Sequence, residues 1–96
     1  MKAYSIRFTP EAARLLSTLH PDNKKLIKAT LHELKKNPYL GDELQEELFS
    51  FRSLKPKRYR IIYNVDDEKK IIKIFYIGHR RDVYEKFRLL LYKMTE

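Results

Sequence analysis

The chain has 96 residues with 21 Lys+Arg against 13 Asp+Glu, a net charge of +8, 43% hydrophobic residues, no cysteine and no tryptophan. This length leaves room for one domain with one core over residues 1–96 and none for a two-domain enzyme, and without cysteine there is no disulfide framework, thiolate nucleophile or Cys-based zinc site. No apolar stretch approaches the roughly 20 residues that cross a bilayer, and the N-terminus leads into a short alternating segment, so the expectation is a soluble, unexported, cytoplasmic protein with no membrane partner.

In chain order, Ala3 to Thr9 alternate, with Tyr4, Ile6 and Phe8 on one side and Ser5 and Arg7 on the other, as in a half-buried strand. Thr9-Pro10-Glu11 is a helix start: a hydroxyl cap, a proline where its missing N–H costs nothing, and an acid in the first turn. Ala12, Leu15, Leu16 and Leu19 follow at helical spacing. The helix is expected to stop near His20-Pro21. Asp22 or Asn23 then caps a second one with apolar positions Leu26, Ile27, Leu31 and Leu34, ending at Lys35-Lys36-Asn37-Pro38. Tyr39 to Glu47 breaks the pattern and reads as a loop with at most a helical turn. Strands are expected over about 48–54, 58–65 and 70–78, the last two joined by Asp66-Asp67-Glu68-Lys69. The final strand is apolar on both faces, which predicts a central strand covered on both sides. A terminal helix from about Arg81 carries Val83, Phe87, Leu90, Leu91 and Met94 along one stripe. The sum is an α+β domain of order β-α-α-β-β-β-α, with two N-terminal helices and a C-terminal helix on a twisted, mostly antiparallel four-stranded sheet.

The charge is uneven. Residues 1–51 carry eight Lys/Arg and seven Asp/Glu, whereas residues 52–96 carry thirteen and six. A cationic surface concentrated in this way attracts polyanions. Two clusters supply it: Arg52, Lys55, Lys57, Arg58 and Arg60, and Gly78-His79-Arg80-Arg81-Asp82-Val83-Tyr84 at the junction of the last strand and helix. The bland reading of the first is a hairpin loop kept soluble by lysine. Arg60, however, lies inside a strand on the face of Ile62 and Asn64, where a cation must reach solvent, meet an acid or line an anionic site. Arg80 and Arg81 lie near a helix N-terminus, against the positive end of its dipole, so helix stability does not account for them. If the two strands are neighbours, guanidinium groups and a tyrosine hydroxyl converge on one phosphate. There is no Gly-rich phosphate loop and no HExxH, and His20 and His32 read as helix-end or surface residues, so no metal site and no cofactor are expected.

The segment YRIIYNVDDEKKIIKIFYIGHRRDVYE, from Tyr59 to Glu85, and the opening YSIRFTPEAARLL resemble the RelE/ParE superfamily of bacterial and archaeal toxins from type II toxin–antitoxin modules. The resemblance implies a ribosome-dependent endoribonuclease that cuts mRNA in the A site with the substrate's own 2′-OH. It matches Arg60 to the arginine that holds the scissile phosphate, Arg80 to the one at the leaving 5′ oxygen, and Tyr84 to the tyrosine that stacks on or orients a base. Arg52, Lys55, Lys57, Arg58, His79 and Arg81, from the two basic clusters, are the RNA- and ribosome-binding candidates. The family's strand lysines fall on Phe51 and Ser53, which leaves Lys55, Lys57, Asp42 and Glu43 as candidates for the base. The implied partners are the ribosome and a cognate antitoxin, acidic and partly disordered until bound, meeting the apolar stripe of Val83, Phe87, Leu90 and Leu91. The alternatives are a ParE-type inhibitor of DNA gyrase, and a catalytically weak basic RNA-binding relative.

Overall fold

In the computed structural model, which describes residues 3–94, the elements are β1 (Ser5–Phe8), α1 (Pro10–Ser17), α2 (Pro21–Lys36), β2 (Asp42–Glu43), a 3-10 turn (Glu46–Leu48), β3 (Arg52–Leu54), β4 (Tyr59–Asp66), β5 (Ile71–His79) and α3 (Val83–Met94). The sheet has five strands in the order β1-β5-β4-β3-β2. All neighbours are antiparallel except β1, which runs parallel to β5. The strand beyond the expected four is β2, two residues within the segment read as a loop. Backbone pairing of Asp42 with Ser53 and of Glu43 with Arg52 makes it, and no side-chain pattern announces it. β3 is also shorter than expected, because Leu48 closes the 3-10 turn and Phe51 N–H returns to the Leu48 carbonyl.

The capping chemistry holds at α1, where the Thr9 hydroxyl accepts from Ala12 N–H at 3.1 Å. It differs at α2. His20 is the cap, its Nδ1 accepting from Asp22 N–H at 3.2 Å, and Pro21 takes the first helical position. Proline needs no N–H partner there, so the helix begins one to two residues before the side chains expected to cap it.

β5 lies between β1 and β4, with a helix layer on each face. Ile72, Ile74 and Ile77 pack with Ile61, Tyr63, Leu54 and the α1–α2 residues Ala12, Ile27, Leu31 and Leu34. Tyr76 packs on the other side with Ile62, Phe51 and the α3 residues Val83 and Phe87. A register shift makes this possible. Ile62 faces Tyr76 and Tyr63 faces Ile74, so Phe75 is left without a partner in a β-bulge. Phe75 and Tyr76 therefore both serve the α3 face, where Phe75 meets Phe51 edge-on at 5.0 Å and Tyr76 lies 6.0 Å from Phe87.

Candidate functional site

Cross-strand register decides which charged residues share a surface. Ser53 opposes Ile62, and Ile62 belongs to the α3-side core, so Ser53, Lys55, Arg60 and Gly78 lie on that face by alternation. Asp42, opposite Ser53, belongs to it as well. Arg52 opposes Tyr63 and Glu43 opposes Arg52, which puts both on the α1–α2 face. His79, opposite Tyr59, also turns away from Arg60. The β4–β5 ladder continues one bond past β5, from Arg80 N–H to the Arg58 carbonyl at 2.7 Å, and keeps the Arg80 backbone beside the start of β4, two residues from Arg60.

The first turn of α3 carries Tyr84 to the same place. Its hydroxyl lies 2.9 Å from Ser53 Oγ, one row of side chains from Arg60. Gly78 permits the approach: a Cβ there would stand 3.1 Å from the Tyr76 ring and 3.2 Å from Val83 Cγ2. Arg60, Arg80 and Tyr84 thus border one end of the sheet, beside the β3–β4 loop. In that loop Lys57 takes a left-handed φ of 53° and turns its carbonyl to the Arg60 guanidinium at 3.1 Å. The same guanidinium nitrogen donates to the Tyr59 carbonyl at 2.7 Å.

Charge pairing separates the cations into two groups. Arg52 bonds the Gly41 carbonyl at 2.7 Å and Glu43 at 3.1 Å, and it covers the Tyr39 ring at 4.9 Å. Arg52 therefore braces the loop before β2. Lys55 pairs with Asp42 at 3.0 Å on the Arg60 side. Among the described residues, no carboxylate pairs with Lys57, Arg58, Arg60, Arg80 or Arg81. Five unneutralised cations around one end of a sheet form a surface for a polyanion. His79 takes a local role, its Nδ1 accepting from Arg81 N–H at 3.3 Å and its ring 6.0 Å from that of Tyr59. Of the antitoxin candidates, Val83 and Phe87 are fully buried under α3, and Leu90 and Leu91 are half-buried. Among the described residues no group of three or more His, Cys, Asp or Glu gathers to hold a metal ion, and no helix is long and apolar enough to cross a membrane.

Ser53 is a member of this site that sequence reasoning counted only as a lost lysine position. The signal for it was available: a serine between Arg52 and Leu54, in a strand whose neighbours Phe51 and Ile62 are apolar.

The model of the ParE toxin of the type II toxin–antitoxin system parDE matches residues 6–84. Toxin RelG of Mycobacterium tuberculosis is 32% identical over 85 residues, covering 86% of this chain and 98% of the relative. Among solved structures, the RelBE2 toxin–antitoxin complex of M. tuberculosis superposes with a TM-score of 0.75 at 31% identity, over 82% of this chain and 100% of the matched one. The intact E. coli RelBE toxin–antitoxin complex gives a TM-score of 0.72 at 22% identity, over 82% of this chain and 99% of the other, and shares the fold.

Proposed function

The chain belongs to the RelE/ParE superfamily of type II toxin–antitoxin toxins, and on that premise we propose that it is an endoribonuclease that cleaves mRNA on the ribosome. The observation that carries this reading is that Arg60, Arg80 and Tyr84 lie near one end of the sheet, within a set of cations that have no acid partners among the described residues. Arg60 reaches from the strand and keeps N–H donors beyond those spent on two carbonyls. It holds the scissile phosphate and meets the charge that builds there.

The 2′ oxygen of the substrate attacks the adjacent phosphorus, the bond to the 5′ oxygen breaks, and a 2′,3′-cyclic phosphate and a 5′-OH result. The 2′ proton goes to the Asp42–Lys55 pair, whose carboxylate has free lone pairs, while the ammonium adds positive charge beside the phosphate. Glu43 and Arg52 are outside this step because they face the other side of the sheet. Arg80 donates hydrogen bonds to the departing 5′ oxygen, which takes its proton from water, since a guanidinium does not release one. Tyr84 presents its ring to a nucleobase of the unstacked strand.

The M. tuberculosis and E. coli structures are complexes with antitoxins. A cognate antitoxin of acidic character would meet the unpaired cations of this chain, and it reaches Val83 and Phe87 only by displacing α3. The family-model match to the ParE toxin keeps gyrase inhibition as the second reading. Both are tested together: the purified chain is added to a translating extract with a defined message, 5′ ends are mapped, and DNA supercoiling by gyrase is assayed in parallel. Ribosome-dependent cuts that disappear in Arg60→Ala support the nuclease. An intact message with inhibited gyrase overturns it in favour of the second reading.

A further inference from the structure

Ser53 is 1% exposed, and tyrosines aside it is the one buried polar or charged side chain among the described residues. On that face it has Phe51 two residues before it and Ile62 opposite it on β4, with Asp42 opposite it on β2. A hydroxyl placed there costs stability unless it is hydrogen-bonded, and its side-chain partner is the Tyr84 hydroxyl at 2.9 Å. Tyr84 itself is half-buried on the first turn of α3, and that turn sits close to β5 because position 78 has no side chain.

We infer that Ser53 is a positioning residue: it fixes the Tyr84 side chain through the two hydroxyls, so that the ring offers one face beside Arg60 and Arg80 and the phenol takes no part in proton transfer. This rests on the nuclease reading above and adds to it the way Tyr84 acts, by its ring and through a buried anchor on β3. A tyrosine is used where phenylalanine would stack equally well because the hydroxyl reaches an interior partner and removes the ring's freedom to swing. Pre-set geometry of this kind lowers the cost of binding. The anchored ring therefore governs how well the substrate strand is seated, more than the rate once it is seated.

The test uses the full chain and the variants Ser53→Ala, Tyr84→Phe, their combination, and Tyr84→Ala. Cleavage of ribosome-bound message is followed at increasing ribosome concentration and over a range of pH, with thermal unfolding in parallel. Ser53→Ala and Tyr84→Phe each remove the same hydrogen bond, so each should raise the half-saturating concentration about 2–10-fold. The maximal rate and its pH profile stay as in the unaltered chain, and the double variant is no worse than either single one. Tyr84→Ala, which removes the ring, should cost about 5–150-fold in the same parameter. A collapse of maximal rate or an altered pH profile in Tyr84→Phe overturns the inference, as do additive effects of the two single changes. If Ser53→Ala does not fold, Tyr84→Phe deletes the bond from its exposed end and decides alone. If the unaltered chain leaves the message intact, the nuclease reading falls and the anchor is judged by the Tyr84 ring resonances in NMR. Resonances that change on Ser53→Ala support it, and unchanged ones overturn it.

Discussion

At the scale of single residues, charge state and register separate function from structure. Among the described residues Arg60 and Arg80 carry no acid partner, so removing either orphans no carboxylate there and little stability is at stake. Arg60→Ala or Arg80→Ala should lower single-turnover cleavage about 10²–10³-fold, the loss seen when one preorganised donor is taken from a developing anion, with thermal unfolding close to that of the parent. Asp42→Asn should reduce cleavage while Glu43→Gln does not, because only Asp42 shares the Arg60 face; equal effects would refute the assignment of the base. At the other end of the sheet Asp67 accepts from the Tyr39 hydroxyl and, at 2.7 Å, from the Tyr4 hydroxyl. These donors hold its carboxyl below the usual 3.8, and the same bonds push the Tyr39 phenol up to about 12 from 10.0. A carboxylate favoured in the fold stabilises above its unfolded pKa and loses that contribution as pH falls through the folded one. Asp67→Asn should therefore melt at a lower temperature than the parent at neutral pH, with the gap closing below about pH 4. For Tyr39 the contribution is present below pH 10.0 and is lost as pH rises towards about 12.

At the scale of elements, the strand-to-helix joint is where packing and chemistry meet. Gly78 has no positive φ, so its small size matters and its conformational freedom does not. Gly78→Ala sets a methyl group against Val83, which is fully buried and has little room to yield. A stability loss of about 1–3 kcal/mol in denaturant unfolding is expected, with a larger fall in cleavage as α3 lifts Tyr84 from Ser53. Unchanged activity in a destabilised Gly78→Ala protein would break the link between joint and site. Much of this architecture was legible in the sequence. The Thr9-Pro10 start, the two-faced apolar run of β5, and Arg60 on the face of Ile62 follow from periodicity and from capping chemistry. β2 was not legible, since two acidic residues become a strand only through the backbone of β3. The bulge at Phe75 was not legible either: a run of Ile71, Ile72, Ile74, Phe75, Tyr76 and Ile77 looks the same with or without a shift of register. The Arg52–Glu43 and Lys55–Asp42 pairs depend on that hidden strand, and with them the division of the basic cluster between two faces.

At the scale of the molecule, a net +8 says less than where the unpaired part of it lies. Several cations of α2 are exposed on the face away from Arg60, while Lys57, Arg58, Arg60, Arg80 and Arg81 gather at the end of the sheet where β4 starts and β5 stops. Binding of a single-stranded polyanion releases about 0.7 counterion for each phosphate neutralised. If all five engage, the logarithm of affinity for a short single-stranded RNA should fall against the logarithm of salt concentration with a slope of roughly −3.5. Arg58→Ala combined with Arg81→Ala should make that slope shallower by roughly 1.4 and weaken binding most at low salt. Lys25→Ala combined with Lys28→Ala removes the same net charge from the exposed side of α2 and should leave the slope unchanged. Equal changes in the two pairs would mean that the RNA responds to overall charge, and the sheet-end surface would lose its claim to be the interface.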